Sequence, residues 1–189
     1  MSFRKHNDEG FTGLEAAIVL IAFVVVAAVF SYVVLGAGFF TTQKAQETVY
    51  KGVEQSTANI QMIGNVYGLA TADGGNITTL KFSIGLAPGA PAIDLSKMKI
   101  VFSTPGKTPV ILFQGDTANV SAFTTKLNGA GNVVNSMSAN EQVEVTFIVV
   151  DDAAPANTKM NIELRPSVGA ALPFSKTAPA TITKTNVLY

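Results

Sequence analysis

Cysteine and tryptophan are absent from this chain, and its one histidine, His6, lies near the N-terminus. Without cysteine there is no disulfide framework, no thiolate nucleophile and no zinc–thiolate site. With one histidine, the commonest proton shuttle is nearly missing as well. Charge is also scarce: only 14% of residues are charged, and 13 basic side chains balance 13 acidic ones. A neutral chain has no electrostatic case for nucleic acid, which needs a basic surplus against phosphate. Near-zero net charge instead favours self-association.

Catalytic patterns are missing too. There is no G-x-S-x-G, no Walker loop and no H-E-x-x-H. Glu141 and Glu144 stand at the start of a strand pattern, and Asp151-Asp152 in a turn after one; both pairs read as solvated charges. The Asp151-Asp152 turn lacks the ligand spacing of a recognisable calcium loop. Gly74-Gly75 and Gly129/Gly131 read as turns rather than phosphate cradles. The expectation is a protein that is not an enzyme, with no cofactor and no metal.

What is present is a long apolar run. Residues 16–43 form 28 consecutive positions without Asp, Glu, Lys or Arg. A helix of about 25 residues spans roughly 38 Å, enough for a hydrocarbon core of about 30 Å. The run is too long for a signal-peptide core of about 7–15 residues or a buried soluble helix of about 14. Arg4 and Lys5 precede it, so the positive-inside bias places the N-terminus in the cytoplasm and residues beyond about 44 outside. Glu15 stands at the edge of the run, where an unpaired carboxylate in lipid costs several kcal/mol. Two readings stay open for it. One is a helix-start acid at headgroup level, favoured by the helix dipole. The other is an acid that needs a cationic partner once the helix leaves lipid, such as a new α-amino group at Phe11.

Beyond Thr41, Val49, Val53, Ser56, Ile60, Ile63 and Tyr67 keep one helical face. No proline interrupts residues 11–67, which predicts one helix of about 57 residues, roughly 85 Å. A linker is expected at 68–76, where Asp73-Gly74-Gly75-Asn76 is turn chemistry. From 77 to 189 the pattern is β. Leu80, Phe82, Ile84 and Leu86 alternate with Lys81, Ser83 and Gly85. Further strands are expected at 98–102, 110–113, 120–127, 142–150, 160–164 and 180–188. Pro166 and Pro173 are expected to flank a loop. The fold class is α+β, a long hydrophobic helix followed by an Ig-like antiparallel β-sandwich or barrel. Two N-glycosylation sequons, Asn76-Ile77-Thr78 and Asn119-Val120-Ser121, fall outside the membrane in this topology.

Arg4-Lys5, an acidic spacer and Gly10 ahead of Phe11-Thr12-Gly13-Leu14-Glu15 and the apolar helix resemble a class III leader of the type IV prepilin kind. The resemblance implies cleavage between Gly10 and Phe11 by a prepilin-type leader peptidase, removing residues 1–10. It also puts Glu15 at the fifth mature position, where type IV pilins carry an acid that pairs with a neighbouring subunit's N-terminal amine. The segment from Ile93-Asp94-Leu95-Ser96-Lys97 to Val101, Glu163-Leu164-Arg165-Pro166, and the end at Val187-Leu188-Tyr189 are similar to the archaellins, the flagellins of archaea.

That likeness implies an extracellular archaellum filament for swimming. It implies a homopolymer cored by the helix, with Val25 in mid-core and the β-domains outside. It further implies a precursor in the cytoplasmic membrane and membrane assembly and motor machinery as partners. An archaeal adhesion pilin and a membrane-anchored extracellular β-domain are the alternative readings.

Overall fold

The computed structural model describes residues 8–150 and 154–189, with side chains described from residue 13 onward. Arg4, Lys5 and His6 of the expected leader, and the Asp151-Asp152 turn, lie outside the described residues; Gly10 and Phe11 are described as helical backbone only. The chain divides into two units, residues 1–50 and 51–189.

The first unit consists of one helix, α1 (Asp8–Thr57), whose last turns enter the second. Its Val-rich stretch is not a strong intrinsic helix former. In apolar surroundings, however, a helix satisfies all its own backbone groups, and that decides the conformation. The hydroxyls follow the same rule. Thr41, Thr42, Thr48 and Thr57 donate back to the carbonyls of Ala37, Gly38, Lys44 and Val53 at 2.8, 2.9, 2.9 and 2.8 Å. Their polar atoms therefore do not bar the helix from a dry environment.

The helix is shorter than the periodicity predicts. It ends at Thr57, and residues 60–70, expected to be its last turns and the start of a linker, are instead strand β1 (Ile60–Ala70). Ala58 still donates to the Glu54 carbonyl at 2.9 Å, and the Asn59 amide caps Ser56 at 3.4 Å. Gly64, at φ 75°, then opens a bulge in which the pairing skips from Ile63 to Tyr67. Ile60, Met62 and Val66 face inward while Ile63 and Tyr67 face out. A bulged strand rich in β-branched residues thus imitated a 3-4 spacing. Asp73-Gly74 is a hairpin turn, pinned by the Lys184 amide donating to Asp73 Oδ1 at 2.9 Å.

The remaining elements are β2 (Ile77–Leu86), β3 (Ile93–Asp94), a 3-10 turn at Leu95–Lys97, β4 (Lys99–Ser103), β5 (Val110–Gln114), β6 (Ala122–Leu127), β7 (Ser136–Met137), β8 (Gln142–Ile148), β9 (Lys159–Arg165), β10 (Leu172–Thr177) and β11 (Thr185–Leu188). The strand expected at 180–188 is shorter, β11 alone, and β10 precedes it where a loop is expected. Pro173 lies within β10, at the end of the sheet order, where a missing ladder donor is tolerated. Nine strands form one sheet in the order β10-β9-β4-β5-β6-β8-β2-β1-β11, and β3 pairs with β7 apart from it. All pairs in the nine-stranded sheet are antiparallel except β5 with β6. The two ends of that order meet. Thr177 donates to the Tyr189 carbonyl at 2.6 Å and Tyr189 returns the bond at 3.4 Å. The sheet is therefore a nearly closed barrel, with no long edge for another chain's strand.

Its core is apolar and aromatic. Phe82 meets Phe147 and Phe174 edge to face at 6.4 and 5.4 Å, and Phe102 meets Phe147 at 5.7 Å. Buried polar groups are paired: the Gln114 amide donates to Thr125 Oγ1 at 2.5 Å and the Val134 carbonyl at 2.7 Å. The Asn186 amide donates to the carbonyls of Gly68 and Thr183 at 3.2 and 2.6 Å. The barrel is complete within itself.

Candidate assembly surfaces

The helix presents the opposite situation. Every described residue from Gly13 to Thr57 is exposed. Between Ile18 and Phe40, sixteen large apolar side chains are each more than half exposed. Burying one such side chain from water is worth about 1.5–3 kcal/mol, so leaving all of them wet costs tens of kcal/mol. This surface requires a cover. Lipid and a bundle of like helices both supply one, and neither differs much from the other in hydrophobicity. Packing, small residues and interhelical contacts then decide between them. Phe30, Val34, Leu35 and Phe39 line a shallow groove on the helix surface together with Ala27, Gly38, Ser31 and Thr42.

Glu15 is exposed at the start of this surface and Val25 lies in mid-run, 55% exposed. Charge returns only at Lys44, which pairs with Glu47 at 2.7 Å; exposed on both sides, that pair adds little. Among the described residues no cluster of three or more His, Asp or Glu could hold a metal ion.

The two sequons differ in presentation. Asn119 is exposed, and its Oδ1 accepts the Ser121 amide at 2.8 Å in a local turn. Asn76 is half-buried beside the fully inward Ile77.

The head motifs of the resemblance are structural. Asp94 caps the 3-10 turn, accepting the Ser96 amide at 3.0 Å and pairing with Lys97 at 2.8 Å. Lys97, then Ser96, hold the Asp94 carboxyl down to about 2, below its ordinary 3.8. Its contribution is complete above pH 3.8 and fades as the pH falls toward 2. Arg165 grips Glu163 through two bonds of 2.9 and 2.8 Å, lowering the Glu163 carboxyl.

Sequence reasoning missed one close contact. At φ 98°, Gly169 sits so near Ala58 that a side chain there would meet the Ala58 carbonyl oxygen. Only a glycine just past an Arg-Pro pair hinted at it.

The comparisons accord with this arrangement. A family model described as Archaeal-type flagellin matches residues 10–176. Probable flagellin 1 of Archaeoglobus fulgidus is 40% identical over 200 residues, covering 100% of this chain and 98% of that relative. Among solved structures, the archaeal flagellum of Methanospirillum hungatei is similar at 35% identity and a TM-score of 0.74, covering 94% of this chain and 99% of that one. The crystal structure of flagellin FlaB1 from Methanocaldococcus jannaschii shares the fold at 18% identity and a TM-score of 0.60, covering 69% of this chain and 96% of that one.

Proposed function

The chain belongs to the archaeal-type flagellin family, and from that premise we propose how it builds its polymer. The protein is a structural subunit of the archaeal flagellum, the archaellum, a homopolymeric extracellular filament for swimming, and it is not an enzyme. We infer that the precursor waits in the cytoplasmic membrane on α1. A prepilin-type peptidase cuts between Gly10 and Phe11, and membrane assembly machinery then draws the helix out of lipid into a bundle of identical helices. The β-barrels form the outer layer, and rotation is driven by a separate membrane motor. The observation that carries this reading is the wholly uncovered apolar helix joined to a barrel that needs nothing further. Deleting the gene is expected to leave cells without filaments and unable to swim; swimming cells with normal filaments would overturn it.

Glu15 is assigned to pairing with the α-amino group of a neighbouring subunit's Phe11. In lipid the carboxyl stays at headgroup level, but in a dry bundle it needs a cation. Glu15→Ala leaves that amine unpaired, at a cost of about 3–5 kcal/mol for a buried pair. Filament yield is expected to fall at least tenfold while the membrane-bound precursor stays at its normal level. Unchanged yield, read by sedimentation of sheared material, would refute the pairing.

Asn119 is proposed as the glycan acceptor ahead of Asn76, because it is exposed on the folded barrel whereas Asn76 is half-buried. Intact-mass and peptide mapping of filaments should place a glycan at Asn119 in a larger fraction of subunits; the reverse order would contradict it.

A further inference from the structure

A polymer built by repeating one operation joins two different surfaces of each subunit. The barrel offers two. Of the large apolar side chains left exposed between residues 58 and 189, all those described except Leu127, at the far end of β6, fall into two groups. Ile63 and Tyr67 on β1 adjoin Val187 and Tyr189 at the C-terminal strand, with Tyr67 directly opposite Val187 in register. Ile111 and Phe113 on β5 lie near Val120, just before β6. Val101 of β4 lies opposite Ile111, and Ala122 opposite Phe113, so this second group continues across three strands.

The strand order places these groups on opposite sides of the barrel. From the β5–β6 seam to the β1–β11 seam is four strands one way and five the other. Charged side chains border both groups: Lys81 of β2 lies opposite Tyr67, Glu163 of β9 lies opposite Val101, and Lys99 approaches the Phe113 ring at 5.5 Å. The ends of the nearly closed sheet are already joined at Thr177 and Tyr189, so the contact inferred between barrels is one of side chains.

We propose that the β1–β11 patch of one subunit docks on the β4–β5–β6 patch of the next, forming a repeating head-to-head contact around the helical core. The occupant of each patch is a second copy of this chain. Three features favour it: the polymer already brings copies together, the two patches are different surfaces as a non-closing contact requires, and the zero net charge of the chain leaves copies little mutual repulsion. The inference rests on the filament reading and adds to it a specific pair of surfaces.

The absence of native cysteine makes the test clean. Filaments carrying Ile111→Cys and Val187→Cys together are treated with a short bismaleimide and run under denaturing conditions. The expected result is a ladder of dimers, trimers and longer species, with only monomers from either single variant. A second pair at the margins, Val101→Cys with Thr185→Cys, gives the same ladder if the first pair hinders assembly. Dimers from a single variant would mean that a patch meets its own copy. Monomers from both double variants, with their thiols proved reactive toward a dye maleimide after dissociation, would mean that something else covers the patches. Either outcome overturns the proposal while leaving the filament intact. If the unsubstituted protein forms no filament at all, the polymer reading fails first and this contact with it.

Discussion

Cells whose only copy of this chain carries Val25→Lys are expected to make no filaments, although the precursor still enters the membrane. The two environments respond differently to one charge. In the bilayer, a lysine at the helix centre costs about 2.5–3.5 kcal/mol on insertion scales, while each Leu, Ile, Phe or Val returns about 0.3–0.6. The fourteen other exposed Leu, Ile, Phe and Val side chains between Ile18 and Phe40 outweigh that single penalty. Snorkelling and local thinning reduce it further. A packed bundle offers no such relief. There, each copy places an ammonium group against the apolar faces of its neighbours, and the residue nearest in sequence that could neutralise it is Glu15, ten positions away on the same helix. The penalty of an unpaired buried charge then recurs at every subunit. Val25→Leu, which keeps the surface apolar and adds one methylene at a cost of about 1–3 kcal/mol, should still assemble. Membrane fractionation and electron microscopy of the two variants read the difference. Intact filaments from Val25→Lys would show that this position faces water, not other helices.

The second large effect concerns Gly169→Ala. At φ 98° an L side chain is strained, and its Cβ would lie on the Ala58 carbonyl, 3.2 Å from the Ala58 Cβ. Ala58 is fully buried, immediately after the helix ends, and both residues belong to the second unit. Left-handed strain contributes about 1–2 kcal/mol and overpacking about 1–3 kcal/mol, for a total of roughly 3 kcal/mol. In a domain of this size that lowers the unfolding midpoint by roughly 10 °C. Gly89→Ala is the control: its φ is 83°, yet nothing lies within 4 Å of the added carbon. It should cost only the left-handed strain, about 1 kcal/mol. Circular dichroism melts of the full chain compare the two. Equal midpoints would mean that the Gly169–Ala58 approach does not constrain the barrel.

These two positions illustrate what could and could not be read from sequence. The apolar run was legible because its signal is a simple absence of charge over 28 residues, which no soluble helix tolerates on all faces. Most strands were legible through alternation, as in β2 and β8, whose inward residues are fully buried. Residues 60–70 were misread because Ile60, Ile63 and Tyr67 fit a helical spacing, and only pairing with β2 and β11 shows that they belong to a bulged strand. Pro173 argued against a strand, but an end-of-sheet position removes the objection. Closure through Thr177 and Tyr189, and the seat of Gly169 on Ala58, are contacts between residues far apart in the chain, and no local pattern encodes them. Glu15 and Val25 stood out because a charge at an apolar boundary and a valine in an unbroken apolar run limit what can lie beside them.

The central claim is that α1 leaves lipid and is covered by copies of itself. Filaments sheared from cells, sedimented without detergent and sequenced from the N-terminus, test it most directly. The account predicts a detergent-free fibre whose subunits begin at Phe11. Protein recovered solely as detergent-solubilised monomers that still begin at Met1 would contradict it.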